Sequence, residues 1–358
     1  MLQLLGVMGA PLLAATPFAF LRENAEETPV GFEETLLAKW QRLHPDVAII
    51  GNSMVYCRMD VKYLANLWKP LRTMQLSRGG TRSLQWFLWL KNFVAECAPV
   101  PRLAIVFYRD YDFNNVGMHI VGPHLDYIRA AMRPGDEPFL RLARGEDKAG
   151  GIRGWVEKHF SGTPENKQVR RKISDTAYDT AALLGPKTDN QLMGQVDTTF
   201  DLDRLRSDAA DADAVFNNNI DATMAKFTVD PEVNYLSNFL EIANRHKIKL
   251  VFYRVKRRPN ADNITPQDGT LRAYTAAFKS WVETSGHHHV DETDDPRITL
   301  DMFRDGDHFH KEHYRKYTEW FAERLRPLLP KQFTNEEFKA AEDEALRIQK
   351  ANAKTEAK

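Results

Sequence analysis

The chain has 358 residues, 43% of them hydrophobic and 27% charged, with 49 basic and 49 acidic side chains. That length suits one large α/β domain with insertions, or two domains, and the apolar fraction excludes a disordered polypeptide. Balanced charge without a basic patch interleaved with aromatics excludes a nucleic-acid footprint.

Residues 1–21 carry no charged side chain and are rich in Leu, Met, Val and Phe. About 20 such residues just span a hydrocarbon core as a helix. Pro11 and Pro17 interrupt it, a basic leading region is missing, and Ala14-Ala15 gives a poor cleavage pattern. The first reading is a signal anchor, the second a cleaved signal peptide, the third a buried or amphipathic helix. Either of the first two puts the rest of the chain outside the cytoplasm, on the periplasmic face of a bacterial inner membrane.

A short helix over 33–43 precedes the first strand, Val47 to Ile50, which runs into Gly51-Asn52-Ser53. The pattern predicts one helix or helical turn from Met54 to Trp68, closed by Pro70. A short strand follows at Met74-Gln75-Leu76, and then Ser77-Arg78-Gly79-Gly80. Thr81 is the expected cap of an apolar helix through Phe93, and Leu103 to Tyr108 reads as a strand buried on both faces. Residues 115–230 break the rhythm, with helical fragments at 127–132, 139–143 and 152–160 and an aspartate-rich stretch over 197–213. By position they form an insertion, a lid or substrate-docking subdomain, on the rim where α/β sheets bind ligands. The alternation then resumes: a helix opening at Pro231, a strand over 248–255, a helix through Val282 stopped at Gly286, a short strand at 288–291, and a final core helix over 309–328. Thr334 and Glu337 form a capping box for a solvated or frayed tail over 331–358. Strands alternating with helices imply a three-layer α/β/α domain around a parallel sheet, spanning 43–328.

The chemistry concentrates in Ser53 and in Asp305-Gly306-Asp307-His308. A serine at the mouth of a buried strand can present its hydroxyl outward, while a late His, oriented by a carboxylate, serves as its base. The bland reading of Ser53 is an N-cap, and that of Asp305 or Asp307 is a cap of the following helix. Asp307 competes with Asp305 as orienter, with poorer geometry one residue from His308. A metal cluster from His308, His310, His313, Asp305 and Asp307 is weighed and set aside, because a helix starting near 310 separates the imidazoles. His287-His288-His289 reads as a loop entering a strand. Cys57 and Cys97 are too few for a disulfide framework, and can pair or stay free.

Early Ser and late Asp-x-x-His resembles the SGNH (GDSL-like) hydrolases and acyltransferases. Gly51-Asn52-Ser53 is similar to the family's first block, with Asn52 in place of Asp. Gly79 or Gly80 stands where the second block has its oxyanion-hole glycine. Phe309 and Tyr314 around Asp305 and His308 match the last block. The third block, Gly-x-Asn-Asp, is unmatched; the strand ends Tyr108-Arg109-Asp110-Tyr111-Asp112-Phe113-Asn114.

The resemblance implies a flavodoxin-like three-layer fold, a catalytic triad of Ser53, His308 and Asp305, and no cofactor. It also implies an oxyanion hole drawn from Ser53, Gly79, Gly80, Arg109 and Asn114; Arg78 and Asp110 are candidate substrate contacts. With the apolar N-terminus it implies O-acylation or ester hydrolysis on a cell-surface glycan, working beside a membrane-embedded acyltransferase. The alternatives are a secreted esterase, a metal-dependent hydrolase, and a non-catalytic scaffold of the same fold.

Overall fold

The computed structural model describes residues 31–114, 116, 120, 123–144 and 226–356. The apolar segment 1–21, the helical fragment 152–160 and the aspartate-rich stretch 197–213 lie outside the described residues.

Five strands, β1 (Val47–Gly51), β2 (Thr73–Ser77), β3 (Leu103–Tyr108), β4 (Lys249–Arg254) and β5 (His288–Asp291), form one parallel sheet in the order β2-β1-β3-β4-β5. Register runs from Val47 opposite Leu103 and Leu103 opposite Lys249. Side chains alternate across the pleat, so each central strand feeds two cores. Ala48, Ile50, Ala104, Val106, Leu250 and Phe252 face one way, toward α1 (Glu34–Leu43), α4 (Ser83–Trp89), α7 (Leu236–Arg245) and α8 (Gly269–Thr284). Val47, Ile49, Ile105, Phe107, Val251 and Tyr253 face the other, toward α2 (Ser53–Tyr56), α3 (Val61–Leu67) and α9 (Tyr314–Leu325). This double burial is why β1 and β3 read as continuous apolar runs rather than alternating ones. Two further helices, α5 (Pro123–Ala131) and α6 (Glu137–Arg144), pack on the first layer.

Several element boundaries differ from the sequence reading. The helix expected over 54–68 is two helices, α2 and α3. Asp60 breaks it by capping α3, accepting the Tyr63 amide at 3.0 Å, while its own amide donates to Thr318 Oγ1 at 2.9 Å. Thr81 caps nothing: its hydroxyl faces the carbonyls of Arg78 (2.8 Å) and Gly51 (3.2 Å), and α4 starts at Ser83. The helix expected from Pro231 begins at Leu236, whose amide donates to Asn234 Oδ1 at 3.0 Å. The final core helix is shorter than 309–328; single 3₁₀ turns flank α9 at Lys311–His313 and Arg326–Leu328, so neither Asp305 nor Asp307 caps it.

The tail is a helix, mostly solvated and docked by a few side chains. Its capping box forms, with Thr334 N donating to Glu337 (2.8 Å) and Glu337 N to Thr334 (3.2 Å), and it opens α10 (Asn335–Glu356). Phe338 meets His44 edge-on, Arg102 stacks over Phe333 at 3.7 Å, and Gln349 donates to the Glu96 carbonyl at 2.8 Å. His44 and Arg102 precede β1 and β3, so the tail closes the end of the sheet away from Ser53. Both cysteines are free thiols: Cys97 sits in the first core, and Cys57 is half-buried just after α2.

Candidate active site

The site forms where strand order reverses, between the C-terminal ends of β1 and β3, the place where open parallel sheets leave a crevice. Gly51 ends β1 with no room for a side chain. A Cβ there would fall 2.7 Å from Val55 and 2.9 Å from the Phe107 Cβ. Next, Asn52 takes the cap: its Oδ1 accepts the Met54 amide at 2.9 Å from an extended backbone. The cap reading of Ser53 therefore falls away. Ser53 is the first residue of α2, and its hydroxyl is left for another partner.

That partner is His308, whose Nε2 lies 2.8 Å from Ser53 Oγ. On the far side of the ring, Nδ1 lies 2.9 Å from Asp305 Oδ2. An ionised carboxylate only accepts, so Nδ1 holds the ring proton and Nε2 is left to accept from the serine. The other Asp305 oxygen accepts the amides of Asp307 (3.1 Å) and His308 (3.0 Å). Burial works against ionising Asp305, but the bonds from His308 and these amides outweigh it and hold the carboxyl well below the usual carboxylate range. Thus the three residues proposed from sequence converge in one hydrogen-bonded line.

What holds His308 in place is a tight hairpin. Phe303 and Phe309 bridge antiparallel, and the Arg304 amide donates to the His308 carbonyl at 2.8 Å. Arg58, with no exposed surface, donates to the Asp307 carbonyl at 2.7 Å and lies over the Phe309 ring at 4.7 Å. The same guanidinium reaches Glu292 at 3.4 Å, a buried carboxylate that also accepts from Tyr253 (2.6 Å) and Tyr317 (2.9 Å). The sequence reading missed Arg58 and Glu292. A single Arg or Glu with no motif around it carries no signal of burial.

Asp307, the rival orienter, pairs with Arg109 instead. Burial pushes its carboxyl up, but the charges of Arg109 and Arg58 outweigh that and leave it below its ordinary value.

The remaining candidates divide. Gly80 adopts a left-handed φ of 73°, and a Cβ on it would meet His124 at 2.4 Å. Gly79 lies against the Tyr56 phenol, whose oxygen would fall 2.9 Å from a Cβ added there and whose titration burial pushes up. As for Ser53, its amide is among the four at a helix start that have no partner within the helix. Three of the sequence candidates are held by other partners. Arg109 is an ion-pair partner of Asp307. Asn114 is buried in a junction, donating to the Lys226 carbonyl at 2.9 Å and accepting from Asn234 at 3.3 Å. Asp110 is buried between Arg254 (2.9 Å) and Arg257 (3.0 Å). Its neighbourhood is a charge network that β4 brings in from far along the chain, which spacing does not reveal. Arg78 is exposed, its guanidinium stacked 3.8 Å over the Tyr127 ring.

One helical turn past Ser53, Tyr56 and Tyr314 flank an open cleft of about 410 Å³, with Met59 and Gln75 also lining it. Cys57, between cleft and hairpin, is hydrogen-bonded to Tyr314, and burial pushes its thiol up.

No family model and no curated protein matches the chain. Among solved structures, it is similar to one of a "putative acylhydrolase" from Bacteroides fragilis NCTC 9343, at 12% identity and a TM-score of 0.38, over 83% of this chain and 97% of that one.

Proposed function

We propose that the protein is a serine-dependent acyltransferase or esterase that works through a Ser53 acyl-enzyme. The observation that carries this is the unbroken line from Ser53 Oγ through His308 to Asp305. In the first step Ser53 Oγ attacks the acyl carbonyl carbon while its proton passes to His308 Nε2. The carbonyl π electrons move to oxygen; their return expels the leaving alcohol, which takes the proton from His308. In the second step an acceptor hydroxyl, or water, gives its proton to His308 and attacks the acyl carbon. Ser53 leaves and regains that proton. Asp305 holds the ring and stabilises the imidazolium throughout. The Ser53 amide is the proposed oxyanion donor, with Gly79 next to it in the second-block position and in need of a shift away from Tyr56 to contribute.

The acyl group proposed is acetyl or similarly small, and the substrate a surface glycan. Tyr56 and Tyr314 on the cleft suit it, since aromatic side chains offer flat, amphipathic contact. Residues 1–21 are proposed as the membrane anchor on the periplasmic face, bringing the site to a membrane-embedded acyltransferase partner. These finer assignments rest on the family resemblance.

The test is intact mass of the full chain after exposure to a fluorophosphonate ester, beside Ser53→Ala. One adduct on Ser53, absent from the variant, is the expected result. A folded protein that takes up no label would reduce the site to a non-catalytic scaffold.

A further inference from the structure

We propose that Arg109 is a positioning residue that acts on His308 through Asp307, by pinning the hairpin and by cancelling its second carboxylate. The inference rests on the acyl-enzyme reading of Ser53.

The hairpin 303–309 carries two carboxylates beside one imidazole, and only Asp305 holds Nδ1. Asp307 is close enough for its charge and that of His308 to interact. Left unpaired, it would favour the imidazolium and so disarm the base at neutral pH. Arg109 removes that charge from the site. The guanidinium comes from the first residue after β3, and its amide donates to Asp112 at 2.9 Å; Asp112 in turn pairs with Arg82 at the head of α4. Consequently the Asp307 carboxylate is tied to the loop behind β3, while its carbonyl is tied to Arg58 behind α2. The Gly306 carbonyl accepts from the Arg258 amide at 3.2 Å, a third hold beyond β4. Three crossings of the sheet thus grip the loop that carries the base.

Other charged or titratable groups face the imidazole's surroundings and stay constant in the comparison below. They are Asp305 and Arg304 of the hairpin, Cys57 and Arg58 after α2, and Tyr314 of α9. A misplacement of about 1 Å in such a site costs on the order of 100-fold in rate.

The experiment uses the full chain with 4-nitrophenyl acetate as probe, and compares Arg109→Ala, Arg109→Lys, Asp307→Asn and the double variant R109A/D307N. Melting curves establish that each is folded. In Arg109→Ala, kcat falls about 10- to 100-fold with KM within about twofold, and the acid limb of the pH–rate profile moves to higher pH. Asp307→Asn in that background returns the limb to its wild-type position without restoring kcat. Arg109→Lys keeps the charge, and hence the wild-type limb, but loses part of kcat. Guanidinium ion added to Arg109→Ala recovers part of the loss only while Asp307 is present. An unchanged kcat, a rise in KM alone, or a limb indifferent to Asp307 would overturn the assignment. If wild type shows no turnover that Ser53→Ala removes, the acyl-enzyme reading has failed. The low-field proton resonance of His308 Nδ1–H then decides the positioning role by itself: lost or shifted in Arg109→Ala it stands, unmoved it falls.

Discussion

His308 can serve Ser53 only while its other nitrogen keeps the proton, and Asp305 is the residue that keeps it there. Replacing Asp305 by Asn offers an amide that can turn its N–H toward Nδ1 and favour the wrong tautomer. A loss of about 10⁴-fold in kcat is expected, the scale seen when a triad carboxylate is made neutral; the burst of 4-nitrophenol release measures it. Asp305 also couples stability to pH. Its carboxyl ionises more easily in the fold than in the unfolded chain, so its contribution is present above the unfolded value of about 3.9 and is lost as pH falls through the lower, folded one. The melting-temperature gap between wild type and Asp305→Asn should therefore shrink below about pH 4. Ser53, Asp305 and His308 were legible in the sequence because each is a reactive residue type beside a strand end or a turn. The partners of Asn114 and Arg109 were not legible, for the opposite reason: an amide and a guanidinium bond to whatever the fold brings near. Their partners, Lys226 and Asp307, come from more than a hundred residues away.

Among the elements, the hairpin depends most on a residue outside it. Arg58 joins hairpin, α2 and the Glu292 cluster with no exposed surface, and Arg58→Met keeps the bulk while removing every one of those bonds. Breaking one side of a buried charge pair costs about 3 kcal/mol or more; Arg324 still reaches Glu292 at 3.1 Å, which favours the lower end. Urea unfolding tests this, and a change under about 1 kcal/mol would show that the clamp is dispensable. At the head of α2, Asn52→Ala should cost about 1 kcal/mol through the lost cap. It should also lower the labelling rate of Ser53, because the hydroxyl is then drawn back toward the open amide. Strands were the easiest elements to read, since β1, β3 and β4 are buried on both sides and keep their apolar runs. Helix boundaries were harder. The break at Asp60 and the late starts at Ser83 and Leu236 are set by side-chain bonds of Asp60, Thr81 and Asn234 that periodicity does not contain.

At the scale of the whole molecule, the buried histidines His246, His287 and His289 each have their pKa pulled down to about 4, with burial the largest cause. Unfolded, they titrate near 6.5. Between these values the unfolded chain binds more protons than the folded one, so stability is full above about pH 6.5 and is lost as pH falls toward 4. His287 makes the cost concrete: its Nδ1 accepts the Leu250 amide at 3.1 Å, which a proton on that nitrogen would end. His287→Asn, whose carbonyl oxygen can still accept, should flatten the fall in melting temperature between about pH 7 and 4.5. A variant as acid-sensitive as wild type would assign that sensitivity to the other two. The sheet order has a consequence in time as well as in space. Ser53 and its base stand 255 residues apart, and the loop that carries the base is gripped from beyond β1, β3 and β4. A growing or partly threaded chain therefore holds a serine without a base. On the acyl-enzyme proposal, the serine gains its base only when the last strands and the hairpin have docked, so an unfinished chain would lack the proposed activity.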